Sequence, residues 1–282
     1  MMAKPLIFNI LKTKLRCLLL LAWLLLLTSQ SIVSAQSLVY SHSVALDNPG
    51  AISLDRLSNI YVTDRKNNLH KFDATGKLTQ TFSPSVKGHV ASAEAWSMVK
   101  ILLFYDDRQQ ITLLDRFLTL ISSARLSDFT DGIIRAATLA ADDRIWLLNE
   151  SDYTLNKVDI RYPEAALKTQ LNQILNKDQN DIRFMREYQN NLYMVDRLSG
   201  IYVFDNMGTY KTRLPLTGLN YVGFKGEELY YLKDGQLVFQ HLYTLKQRSL
   251  PLPPDKNYQQ ALIGENFYYF FTSLGFDIYS LQ

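Results

Sequence analysis

Asn59–Asp73, NIYVTDRKNNLHKFD, decides the fold. It reads as an alternating strand, a polar turn, and a second strand ending on an apolar residue. The same shape recurs in Arg144–Asp159 (RIWLLNESDYTLNKVD) and Asn191–Asp205 (NLYMVDRLSGIYVFD), and more faintly in Ile101–Asp115, Leu229–His241 and Asn266–Ser280. The ends of the second strands fall at Phe72, Leu114, Val158, Phe204, Gln240 and Tyr279, with steps of 42, 44, 46, 36 and 39 residues. Three residues before each end stand Leu69, Ile111, Leu155, Ile201, Leu237 and Phe276. Ten before stand Val62, Phe104, Leu148, Met194, Tyr230 and Tyr269. Chance alternation does not keep such offsets through six copies.

A period near forty made of short strands and hairpin turns predicts propeller blades of four strands each. Innermost strands are expected at Gly50–Leu54, Ala93–Met98, Ala136–Ala140, Arg183–Glu187, Tyr221–Phe224 and Gln260–Ile263. Outermost strands are expected at Gly76–Phe82 and Thr209–Leu214, each after a turn (DATG, DNMG) whose glycine supplies positive φ. Pro163–Asp181 reads as an outer strand and a longer loop, although Leu167, Leu171, Ile174 and Leu175 also fit a short helix. The sixth copy ends after its third strand, while Leu38–Val44 (LVYSHSV) is a strand with no blade of its own. The chain is therefore expected to be an all-β, six-bladed β-propeller of residues 36–282 whose last blade is closed by the N-terminal strand. The aromatic run Phe267–Phe271 (FYYFF) then belongs to a strand buried on both faces.

The unit Asp55–Leu78, DRLSNIYVTDRKNNLHKFDATGKL, resembles a repeat of the NHL type, with its I-Y-V-x-D strand and F-D-x-x-G outer turn. The fourth copy, NLYMVDRLSGIYVFDNMG, matches less fully, and the others match in pattern only. The resemblance implies a six-bladed propeller and a habit of binding other macromolecules, with no particular ligand.

The chain has 282 residues and a formal net charge of +3. Lys4, Lys12, Lys14 and Arg16 stand in the first 35 residues with no acid, which leaves 26 basic residues against 27 acidic beyond them. A near-neutral remainder gives no footprint for nucleic acid. Those four cations precede Cys17–Leu27, CLLLLAWLLLL, and a polar stretch ending at Ala35–Gln36, the layout of a cleaved signal peptide. Eleven apolar residues rise about 16 Å as a helix, roughly half a hydrocarbon core. After cleavage no cysteine and no membrane span are left. Crossing a membrane without a disulfide suits a bacterial envelope, so the expected location is the periplasm, the outer membrane or beyond.

Chemistry is sparse. His42, His70, His89 and His241 have no metal-ligand spacing, and neither G-x-S-x-G nor a glycine-rich phosphate loop occurs. No cofactor is expected, and a binding role is favoured over an enzymatic one. Similarity to propellers such as gluconolactonases and paraoxonases would imply a channel cation. Glu94, Glu187 and Asn220 are the residues that could hold it, although that family's Asn-Gly and Ser-Pro-Asp-Gly segments are missing. The acids Asp64, Asp106, Glu150 and Asp196, eight residues before the first four strand ends, are expected to cap the turns between second and third strands. Beside them Arg65, Arg108 and Arg197, with Trp96 and Tyr153, form a candidate rim for a protein partner in the cell envelope. The competing readings are a metal-dependent lactonase or hydrolase, and a carbohydrate-binding propeller.

Overall fold

Hairpins that are apolar on both faces need cover on both faces, and a ring of blades supplies it. The computed structural model describes residues 37–281 apart from Val86 and Met98. The expected signal peptide and its Ala35–Gln36 junction lie outside the described residues. Six antiparallel four-stranded sheets follow one another along the chain. From the channel outward, blade 1 is Ile52–Leu54, Ile60–Thr63, Leu69–Phe72 and Leu78–Phe82. Blade 2 is Val90–Glu94, Lys100–Tyr105, Gln110–Asp115 and Leu120–Arg125, and blade 3 is Ile134–Leu139, Ile145–Asn149, Thr154–Asp159 and Tyr162–Gln170. Blade 4 is Ile182–Tyr188, Asn191–Asp196, Gly200–Asp205 and Tyr210–Leu214, and blade 5 is Gly223–Lys225, Glu228–Lys233, Gln236–His241 and Gln247–Pro251. Blade 6 is Gln260–Ile263, Phe267–Thr272 and Gly275–Leu281, with Leu38–Ala45 as its outer strand. The six-bladed fold and its N-terminal closure are therefore as the repeat demanded.

Burial explains the repeating offsets. Ile60, Val62 and Phe72 of blade 1 pack on Tyr269, Phe271 and Ile278 of blade 6. Tyr61 and Leu69 point the other way, onto Ile101, Leu103 and Leu114 of blade 2. Each of the other neighbouring pairs of blades has a cluster of the same kind. In the aromatic run, Tyr269 and Phe271 face blade 1 while Tyr268 and Phe270 face blade 5. An unbroken apolar strand follows from having a neighbour on each side.

Boundaries differ from the expectation in one place that matters. The inner strand of blade 2 is Val90–Glu94, not Ala93–Met98. It stops where the Ala95 N–H turns aside to the Ser53 hydroxyl of blade 1 and Ser97 Oγ accepts the Lys100 N–H at 3.0 Å. Trp96 therefore sits in a turn and not on a strand. The 163–181 stretch is a strand to Gln170, followed by a tight turn in which the Ile174 and Leu175 N–H groups both donate to Leu171 O and a second turn closed by Gln179 N–H to Asn176 O.

The closing strand pairs from Leu38↔Leu281 to Ala45↔Gly275. Gly275 has φ +136°, and a Cβ there would lie 2.0 Å from Val44 O, so the close approach of the clasp requires glycine. Asp277 fastens it, accepting hydrogen bonds from Ser43 Oγ on the closing strand, from Lys256 Nζ and from Tyr258 OH. Burial alone would raise the Asp277 pKa. The bonds from Lys256, Ser43 and Tyr258 and the Lys256 charge outweigh burial and hold the carboxyl below the usual range. Its stabilisation is therefore complete above the unfolded value of about 3.9 and is lost as pH falls through the lower folded value. Asp277→Asn is expected to cost about 1–3 kcal/mol at neutral pH. In thermal melts across pH, the gap between wild type and variant should be constant above about pH 5 and shrink below about pH 4.

Candidate functional site

Because strand direction alternates, the turns joining first to second and third to fourth strands share one face of the ring, the lower face. Second-to-third turns and the connections between blades share the upper face. Arg65, Arg108, Arg197 and Tyr153 lie on the upper face, as the sequence placed them, but Trp96 lies on the lower one.

Much of the upper-face rim is already engaged within the chain. Arg108 NH1 donates to Lys87 O at 3.1 Å, and Arg197 Nε lies 2.7 Å from Asp181, which also pairs with Arg183. Tyr153 OH donates to Lys177 O at 2.8 Å, tying down the loop after the outer strand of blade 3. Arg65 shows no side-chain partner among the described residues. Asp64 caps its turn by accepting the Lys66 and Asn68 N–H groups, and Asp196 accepts the Leu198 N–H. Glu150 does not cap its turn, and Asp106 takes only the first N–H of its own. Asp106 Oδ1 meets His89 at 2.7 Å and the adjacent Asp107 N–H, while Glu150 is exposed and 3.9 Å from Arg135. In blade 3 the cap is Asn149, one residue earlier, which accepts the Ser151 N–H at 2.9 Å.

A second set of repeated acids caps the lower face. Asp73, just after its third strand, and Asp115, Asp159 and Asp205, at the ends of theirs, accept N–H groups of the turn into the outer strand. At the fifth equivalent position His241 Nδ1 accepts the Tyr243 and Thr244 N–H groups instead. Into these turns the sequence inserts the exposed apolar side chains Phe117, Met207, Tyr243 and Leu245, and Tyr162 opens the outer strand directly after the blade 3 turn. Leu57 and Val99 project from inner turns on the same face, and Leu78, Leu120 and Tyr210 open outer strands beside it. On the upper face the exposed large apolar residues among those described are Ile133, Leu198 and Leu274.

At the centre of the lower face, over blades 1 to 4, lies a bowl of about 550 Å³. Trp96, Tyr188, Glu94, Glu187, Arg56 and Asp143 are among its lining residues. The Arg56 guanidinium lies 5.5 Å from the Trp96 ring centre. Trp96 reaches past blade 3 to Tyr188 of blade 4, with ring centres 6.0 Å apart, and Tyr188 stacks on Phe224 at 4.7 Å. Tyr243 OH donates to Gln189 Oε1 at 2.9 Å, joining the apolar rim to the wall of the bowl.

Beneath the bowl the channel is crossed by an ion pair. Glu94 of blade 2 lies 3.5 Å from Arg186 of blade 4, both almost fully buried, and accepts a hydrogen bond from Thr138 Oγ1. Arg186 Nε has no hydrogen-bond partner. Burial by itself would lower the Arg186 pKa, and the Glu94 charge more than reverses that, so the guanidinium stays protonated. Glu187 accepts the Trp146 indole N–H at 2.5 Å and the Ala141 N–H at 3.0 Å. Asn220 lines a separate cavity before the inner strand of blade 5, at the opposite end of the channel. Glu94, Glu187 and Asn220 therefore do not converge, and no cluster of three metal-ligating side chains occurs among the described residues.

No family model matches the chain, and comparison with curated proteins returns no match. Solved structures do match. Virginiamycin B lyase from Staphylococcus aureus, as an inactive variant with quinupristin, superposes with a TM-score of 0.60 at 11% identity, covering 88% of this chain and 100% of that one. A streptogramin B lyase gives 0.58 at 11%, covering 88% and 97%. BamB from Moraxella catarrhalis gives 0.52 at 12%, covering 88% and 89%. What they share is the propeller. At such identities the likeness concerns the fold alone, and the fold serves unlike functions.

Removing one partner of a buried pair strands the other charge. Glu94→Ala is expected to destabilise the protein by about 3–5 kcal/mol in urea denaturation. Glu94→Ala combined with Arg186→Met should recover most of that loss.

Proposed function

We propose that this chain is an exported, non-catalytic propeller that docks a protein partner, within a cell-envelope assembly, on its lower face. The observation that carries the reading is the concentration of exposed Phe, Tyr, Met and Leu side chains on side-chain-capped turns and at the starts of outer strands around the central bowl. Such turns are rigid, so an apolar side chain there is presented at little entropic cost. Aromatic, Met and Arg side chains are also the types enriched where proteins meet. The mechanism is shape and charge complementarity on a preformed surface, with no chemical step.

The rim of Arg65, Arg108 and Arg197 becomes secondary in this reading, because two of the three are held by contacts within the chain. A lactonase with a channel cation loses its ligand set, since Glu94 is bound to Arg186 and Asn220 lies elsewhere. Export rests on the N-terminal sequence, and the NHL-type resemblance on the first and fourth repeats. No helix among the described residues is long and apolar enough to cross a membrane.

Two outcomes are expected. Mass spectrometry of the protein recovered from the envelope should show a chain beginning at Gln36; a chain retaining residues 1–35 would overturn cleavage. In-cell crosslinking should capture a stoichiometric envelope protein, lost when Phe117, Tyr162 and Tyr243 are changed together to Ser. Changing Arg65, Arg108 and Arg197 together should leave capture intact. The reverse pattern would return docking to the upper face, and recovery of the protein alone would overturn the scaffold reading.

A further inference from the structure

Glu187 is a buried acid that no described residue meets in an ion pair. It is 7% exposed, at the floor of the bowl. Its two oxygens are fixed by the Trp146 indole and the Ala141 N–H, and each keeps a second acceptor position. Among the described residues no Lys, Arg or His forms an ion pair with it. Lys157, whose ammonium lies 4.9 Å over the Trp146 ring, is paired with Asp142 at 2.9 Å. The other acids of the bowl are answered, Glu94 by Arg186 at 3.5 Å and Asp143 by Lys100 at 3.2 Å. A buried charge without a counter-charge is costly, and an incoming cation would relieve that cost.

The walls suit the same visitor. Trp96 and Tyr188 present aromatic rings to the bowl, and the Trp96 ring already holds the guanidinium of Arg56. Aromatic rings beside a carboxylate attract an ammonium or guanidinium through the ring quadrupole and the charge together. Arg56 is exposed on the rim and has no ion-pair partner among the described residues. It acts as an internal stand-in that covers the aromatic face and repels a second cation.

We infer that the bowl receives a Lys or Arg side chain of the docked protein. The basic group donates to Glu187, and its stem lies against Trp96 and Tyr188. The partner assignment rests on the docking reading above, whereas the chemistry of the bowl can be tested without the partner.

Trp96 lines the bowl and Trp146 touches Glu187, so their indole N–H signals report directly on the site. The exported protein, labelled with ¹⁵N, would be titrated with N-acetyl-arginine amide and N-acetyl-lysine amide, with N-acetyl-glutamate amide as the anionic control. Both indole signals should move saturably with the two cations and not with the anion. Glu187→Gln should weaken that binding by about tenfold or more. Arg56→Ala should strengthen it, and this rim variant keeps the test readable if Glu187→Gln does not fold. Unmoved signals, unchanged affinity in Glu187→Gln, or weaker cation binding in Arg56→Ala would each overturn the proposal. If the Phe117, Tyr162 and Tyr243 changes abolish partner capture while the cationic probes do nothing, docking stands and the basic-anchor proposal falls. If the probes bind and no partner is captured, the bowl chemistry stands and its assignment to a docked protein falls.

Discussion

Cover on both faces of every blade is the constraint on which this structure depends. Tyr61 and Leu69 are buried only because blade 2 stands beside blade 1, and Ile60 and Phe72 only because blade 6 stands on the other side. An open chain of six blades would leave one apolar face bare at each end. The pairing of Leu38–Ala45 with Gly275–Leu281, held by Asp277, keeps those two end faces together. Stability is thus tied to a clasp made from the two extremes of the folded sequence.

Much of this was legible, for a definite reason. Burial on both faces puts apolar residues at both the −3 and −10 offsets, so the repeat survives even where its motifs have decayed. The orphan strand at one end and the missing strand at the other disclosed the closure. Strand ends were less visible, because they depend on single hydrogen bonds from distant residues, such as Ala95 N–H to Ser53 Oγ. That one bond moves Trp96 from an inner strand to a turn on the opposite face. The turn acids show the same limit. Asp64 and Asp196 are caps, yet Asn149 takes the task one residue before Glu150, a shift that spacing alone does not reveal.

The centre of the candidate site was half visible. Glu94 and Glu187 were singled out as channel carboxylates, but their partners are in other blades and no local pattern announces Arg186 or Trp146. The lower-face ring did leave a trace in Phe117 and Met207, bulky apolar residues inside Asp-capped turns where polar ones are usual, and in Tyr162 directly after such a turn. The two faces use charge differently. Above, Arg183 and Arg197 are drawn inward to Asp181 and Arg108 to Lys87 O, while below Arg56 and Glu187 are left without a counter-ion among the described residues.

The clasp also has a mechanical character. Its two strands are antiparallel and the first pair is Leu38↔Leu281, so both ends of the folded chain emerge side by side at one corner of blade 6. Tension applied between those ends does not shear the ladder, in which all its bonds would resist together. It peels the pairs open one after another, starting at the corner, until the load reaches Asp277 and its bond from Ser43. A ring whose blades cover one another on both faces is therefore opened pair by pair when it is pulled from the outer ends of its first and last strands.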